Sequence, residues 1–184
     1  MRVVAFDPST RSTGVCVLDD TLPAGHPPPP GNYSESIGDL AFFGPRPKIV
    51  WAGTISQSGK CVVEKITHTV CEAEAVMVAN STDETVVVAE SPYHGPNAQT
   101  FGKLSGVYYG ILGNAIAHGH KYLSVTAPEV KQFVAGNGNA GKGHIQTIIT
   151  EFMGLERRPS NNDVSDACAI GLYALHRLRE GSAE

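Results

Sequence analysis

Long apolar runs are missing from this chain of 184 residues. No stretch approaches the ~20 apolar residues that a membrane-spanning helix needs, so no membrane partner is expected. Missing too is any C-x-x-C pair among Cys16, Cys61, Cys71 and Cys168, which leaves little support for a zinc ribbon or a dithiol redox motif. All four fall in expected strands or helices and read as buried, reduced thiols of a cytoplasmic protein. There is no charged and apolar leader pattern, because a strand begins at Arg2 and is followed at once by Asp7; no signal peptide is expected. Nor is there a basic excess: 14 Lys and Arg stand against 18 Asp and Glu, a formal charge of −4. Taken alone, that sign argues against a nucleic-acid partner. Internal repeats are absent. What is present is ordinary globular material, 41% hydrophobic and 17% charged, in a length that suits one domain with its own core.

Proline is unevenly spread. Residues 19–48 hold seven of the twelve prolines, including "PPPP", and show no helical or strand period. They read as a surface insertion in a single domain spanning 1–184, with residues 22–46 dispensable for folding. Elsewhere the pattern is regular. Arg2–Phe6, Thr13–Leu18 and "IVWAGTIS" read as strands, and "TVVVAE" as a central strand covered on both faces. Val63, Ile66, Val70, Ala73 and Met77 form one helical stripe across Val62–Asn80. A helix over 98–118, a strand "KYLSV" and a short helix "APEVKQFVAG" follow, closed by the flexible "GNGNAGKG". Helices over His144–Met153 and Asp163–Arg179 complete the chain. Strands early and strand–helix alternation later give an α/β fold with a mixed sheet of about five strands flanked by helices.

The carboxylates are the chemistry. Asp7 and Glu90 each end an apolar strand, where a buried charge is costly unless something neutralises it. Parallel neighbours would bring both to the sheet's carboxyl edge, the usual ligand edge of open α/β sheets. In "NNDVSDACAIGLYAL", Asp163 and Asp166 lie i, i+3 on one helix face, ~5–6 Å apart at Cβ. Acids in a first helical turn also suit the helix dipole. Four acids in one cleft cannot all stay ionised without cations. Hard oxygen ligands suit Mg²⁺ or Mn²⁺, and two such ions ~4 Å apart serve phosphodiester hydrolysis. They would also bring the formal charge of −4 to neutrality.

Four blocks in order, "FDPSTRSTGVCVL", "VVVAESPY", "VKQFVAGNGNAGK" and "NDVSDACAIGL", resemble the RuvC Holliday-junction resolvases of the ribonuclease H-like superfamily. The resemblance covers Arg2 to about His176, broken by the proline-rich segment. It implies a ribonuclease H-like fold and a homodimeric, Mg²⁺-dependent endonuclease that cuts branched DNA, with two ions per site and Mn²⁺ as a substitute. It implies Asp7, Glu90, Asp163 and Asp166 as metal ligands, with Asp7 bridging, and Lys131 and Lys142 as active-site lysines. It also implies Tyr93 as an aromatic stacking on a base near the crossover, and matches Asn97 to a family asparagine. Lys103, Arg11, Arg157 and Arg158 are candidate DNA contacts, and His144 a minor acid–base candidate. Gly102, Gly106 and Gly110, at every fourth position, offer a groove for another helix and hence a dimer contact. Ser9 in place of a glycine, together with the insertion, suits a diverged, phage-encoded member in a bacterial or phage-infected cytoplasm. Helicase partners are not implied. Three other readings remain: a ribonuclease H-fold nuclease for flaps, forks or RNA–DNA hybrids, an actin-like or sugar-kinase-type ATP-binding protein, and a non-cleaving junction binder.

Overall fold

A computed structural model describes residues 1–21, 33–156, 159 and 162–181. Strands β1 (Arg2–Pro8) and β2 (Ser12–Asp19) form an antiparallel hairpin, and β3 (Lys48–Ser56) extends it. Helix α1 (Val62–Asn80) then crosses over, so that β4 (Thr85–Glu90) lies parallel to β1. Helix α2 (Ala98–Ala117) returns the chain to β5 (Lys121–Val125), parallel to β4. The sheet order is β3-β2-β1-β4-β5. Three helices follow: α3 (Ala127–Ala135), α4 (Lys142–Met153) and α5 (Asn162–Arg179). None of the described helices is long and apolar enough to cross a membrane.

The central strands are apolar on both faces because both faces are covered. Val4, Phe6, Val15, Val17, Val87 and Ala89 pack under α1 and α2. Val3, Ala5, Cys16, Leu18, Val86 and Val88 pack against α3, α4 and α5. This alternation follows from the two-residue period of a strand. It fixes which face each strand-end side chain takes.

Several expectations change. Two of the three glycines in the α2 row are filled from within: a Cβ at Gly106 would sit 2.9 Å from Ile66 and one at Gly110 2.5 Å from Val70, whereas one at Gly102 would meet nothing within 4 Å. Gly106 and Gly110 let α1 of the same chain approach α2. On α1, Ala73 and Met77 are buried, but Val63 is exposed at the helix's start. Cys16 and Cys168 are buried face to face, whereas Cys61 and Cys71 are exposed. Lys142 is not in a loop but opens α4, two residues earlier than the apolar period suggests, after Gly141 as N-cap.

The proline-rich segment is only partly a surface insertion. Residues 22–32 lie outside the described residues. Further on, Asp39–Phe42 form a 3-10 helix whose Leu40 is fully buried. Phe43 meets Phe133 and Phe152 edge-on, at 6.2 and 5.7 Å between ring centres. Arg179 covers the Phe43 ring at 4.3 Å. Gly38 donates its N–H to Val134 O at 2.8 Å, against a backbone too close for any Cβ. Two apolar side chains without a period were enough to build this plug, which is why pattern alone did not find it. Leu40→Ala should therefore lower unfolding free energy by about 2–5 kcal/mol in urea titration. An unchanged midpoint and slope would show that the segment is peripheral.

Candidate active site

Asp7 shares its face of β1 with Val3 and Ala5, so it points toward α5 and is buried. The β1–β4 register pairs Ala5 with Val88 and Phe6 with Ala89. Continued by one residue, it sets Glu90 beside Asp7 at the sheet's carboxyl edge. Helix α5 brings the other two acids. Its first turn lies so close to β2 that a Cβ at Gly14 would come 1.9 Å from the Asp163 carbonyl oxygen. Further along, a Cβ at Gly171 would meet Leu18 at 2.9 Å and Ala5 at 3.3 Å. Only hydrogen at both positions permits this approach. Carboxylate oxygens of Asp7, Asp163 and Asp166 consequently all lie within 4.8 Å of one another.

Glu90 stands just outside that trio and lines a cavity of about 100 Å³ with Asp7, Asp166, Lys131 and Lys142. Lys142 Nζ donates to Asp166 Oδ2 at 2.8 Å. Converging hard oxygen donors, one of them paired to the Lys142 ammonium, fit a divalent cation.

Residues 39–174 match the family profile of the crossover junction endodeoxyribonuclease RuvC. The chain belongs to the RuvC family. RuvC of Sulfurovum sp. (strain NBC37-1) is 25% identical over 180 residues, covering 97% of this chain and 98% of that protein. RuvC of Hahella chejuensis is 29% identical over 148 residues, covering 80% and 84%. The solved Thermus thermophilus RuvC superposes with a TM-score of 0.75 at 19% identity, over 100% of this chain and 99% of that one. The same protein in complex with Holliday junction substrate gives 0.73 at 16% identity, over 100% and 98%. These superpositions show that the chain shares the fold of those RuvC structures. The profile match begins after Asp7, whose place in the cluster rests on the geometry above.

The remaining candidates fall in different places. Lys131 lines the cavity and faces Glu90 electrostatically. Tyr93 is 85% exposed on the β4–α2 loop, beside a depression of about 320 Å³ shared with Pro8, Glu90, Asn97 and Phe101. Asn97 is the N-cap of α2, its Oδ1 accepting the Thr100 N–H at 3.0 Å. Lys103 does not reach outward: Nζ donates to Thr10 O at 2.8 Å, clamping the β1–β2 turn. Arg11 sits exposed on that turn. His144 donates from Nε2 to Ser36 O at 2.9 Å and does not line the cavity, which removes it as an acid–base candidate. Arg157 and Arg158 lie outside the described residues. Sequence reasoning gave no weight to Gly14 or Ser12. Their shared strand face with Cys16 and Leu18 was the signal that could have found them.

Electrostatics carries the cost of this convergence. Burial, then Glu90 and Asp166, push the Asp7 carboxyl well above its usual range. Burial and Asp166 push Glu90 up to about 7, opposed by Lys142 and Lys131. Burial would lower Lys142, but Asp166, Asp7 and Asp163 outweigh it and raise the ammonium. Without cations, the folded chain therefore holds protons on Glu90 that the unfolded chain releases from its ordinary value of 4.5 upward. That stability is present below 4.5 and is lost as pH rises through about 7. With chelator, the thermal midpoint should accordingly fall between these pH values, and Mg²⁺ should raise it far more at pH 8 than at pH 5. An equal Mg²⁺ effect at both pH values would refute the assignment.

Proposed function

We propose that this chain is an endonuclease that resolves four-way DNA junctions as a homodimer, using two Mg²⁺ ions per site. The observation that carries the reading is the trio Asp7, Asp163 and Asp166, whose oxygens lie within 4.8 Å of one another. When bound, such ions (Mg²⁺, or Mn²⁺ in its place) activate water and stabilise the leaving 3′ oxygen of an in-line phosphodiester displacement. The protein's own contribution is placement and charge. Asp7 on its central strand, with Glu90, Asp163 and Asp166, would hold the ions. Lys142 and Lys131 bring positive charge to the cavity, where the scissile phosphate gains negative charge. The small cavity restricts water around the acids and strengthens each of these interactions.

Selectivity belongs to the rim. Tyr93 offers an exposed ring beside the cavity, and a base stacked there is worth ~1–3 kcal/mol. Arg11, exposed on the β1–β2 turn, would contact the phosphate backbone, which positions DNA without reading sequence. A four-way junction needs two symmetric cuts, which a two-fold dimer supplies. With Gly106 and Gly110 occupied by α1, the open Gly102 and the exposed Tyr109 and Ile116 of α2 are positions for such a contact.

Asp7→Asn should abolish cleavage of labelled junctions while leaving junction binding in gel-shift assays nearly intact. Near wild-type turnover would remove Asp7 from the reaction. Tyr93→Ala should slow junction cleavage roughly ten- to a hundredfold, the kinetic equivalent of ~1–3 kcal/mol. Tyr93→Phe should stay close to wild type, and cutting of a simple flap should suffer much less. Equal losses on junction and flap would favour a general ribonuclease H-fold nuclease for flaps, forks or hybrids.

A further inference from the structure

Strand β2 presents Ser12, Gly14, Cys16 and Leu18 to α5, since every second residue shares a face. Each meets a different level of the helix. Leu18 packs where Gly171 has no side chain, Cys16 faces Cys168, and Gly14 lies under the Asp163 backbone. Ser12 is the last in this row, and its Oγ–H donates to Asp163 Oδ2.

We infer that Ser12 is a positioning residue, whose hydroxyl aims the Asp163 carboxylate at Asp7 and Asp166 for cation binding. The inference rests on the metal-dependent reading proposed above. A carboxylate in the first turn of a helix rotates readily unless a neighbour fixes it, and here the neighbour is itself fixed. Ser9 N–H and Oγ donate to Ser12 O at 3.0 and 2.7 Å. Gln57 donates from Nε2 to Ser9 O at 2.9 Å and from its backbone N–H to Arg11 O at 3.3 Å. Lys103 adds its bond to Thr10 O. The turn is thus tied to β3 and α2, and Ser12 transmits that rigidity to a carboxylate 151 residues away in sequence. A hydroxyl bonded to Oδ2 fixes the plane of the carboxylate, the way outer partners orient the ligands of metal sites.

The test compares Ser12→Ala, Ser12→Val and Ser12→Thr with the wild type. Valine and threonine share a shape, and only threonine keeps the hydroxyl. Mn²⁺ affinity is read by calorimetric titration of the full chain, beside the thermal midpoint in chelator and junction binding in chelator. The alanine and valine variants should bind Mn²⁺ roughly ten- to a hundredfold more weakly. Threonine should lie near wild type, with midpoints and junction binding in chelator unchanged for all three. Equal affinities for valine and threonine, or wild-type affinity in alanine, would overturn the inference while leaving the metal site standing. A fall in the chelated midpoint that accounts for the lost affinity would reduce Ser12 to a structural tie and overturn it too. A wild type that binds no Mn²⁺ would overturn the metal reading and this inference together.

Discussion

Asp163 approaches β2 more closely than any side chain at residue 14 would permit. That close approach, repeated at Gly171, sets the height of α5 above the sheet, and the height sets the distance from its first turn to Asp7. The remainder of α5 holds the position by burial. Ala167, Cys168, Ala169, Ile170, Leu172, Ala174 and Leu175 are all withdrawn from water, and a large apolar side chain buried in this way contributes ~1.5–3 kcal/mol. Small residues near the site and larger ones further along divide the labour. The first allow contact and the second stabilise it.

The same contact creates the site's electrostatic stress. Asp7 is buried among like charges, and Glu90 is raised to about 7. Such a cluster opposes folding unless protons, lysines or cations offset it. Lys142 offsets part of it through Asp166. A double core, with helices on both faces of one sheet, supplies the apolar stabilisation against which this stress is carried. Chemistry that needs concentrated negative charge is thereby set at the edge of a sheet buried on both faces.

Rigid and accessible parts alternate around that edge. The β1–β2 turn is tied by Gln57 and Lys103 from two other elements, whereas Tyr93 next to it is open to solvent. Fixed acids with an exposed aromatic neighbour suit a substrate whose backbone must be held accurately while its bases adapt. The negative formal charge of the chain does not conflict with DNA here, because much of it is concentrated at a cation site.

The sequence by itself determined the elements and their facing. Two-residue alternation marked the strands, the apolar stripe marked α1, and the four motif blocks named Asp7, Glu90, Asp163 and Asp166. Those signals are local, carried by neighbours within a turn or a strand. Only the tertiary structure decided which distant atoms meet. Ser12 on Asp163, Lys103 on Thr10, and Leu40 in the core of α3, α4 and α5 join residues far apart in the chain, and no period records such pairs. The glycine row of α2 shows the same limit, because spacing announced a close helix contact and could not say whose. At Gly106 and Gly110 it is α1 of the same chain, since packing Ile66 and Val70 there needs no second molecule to arrive.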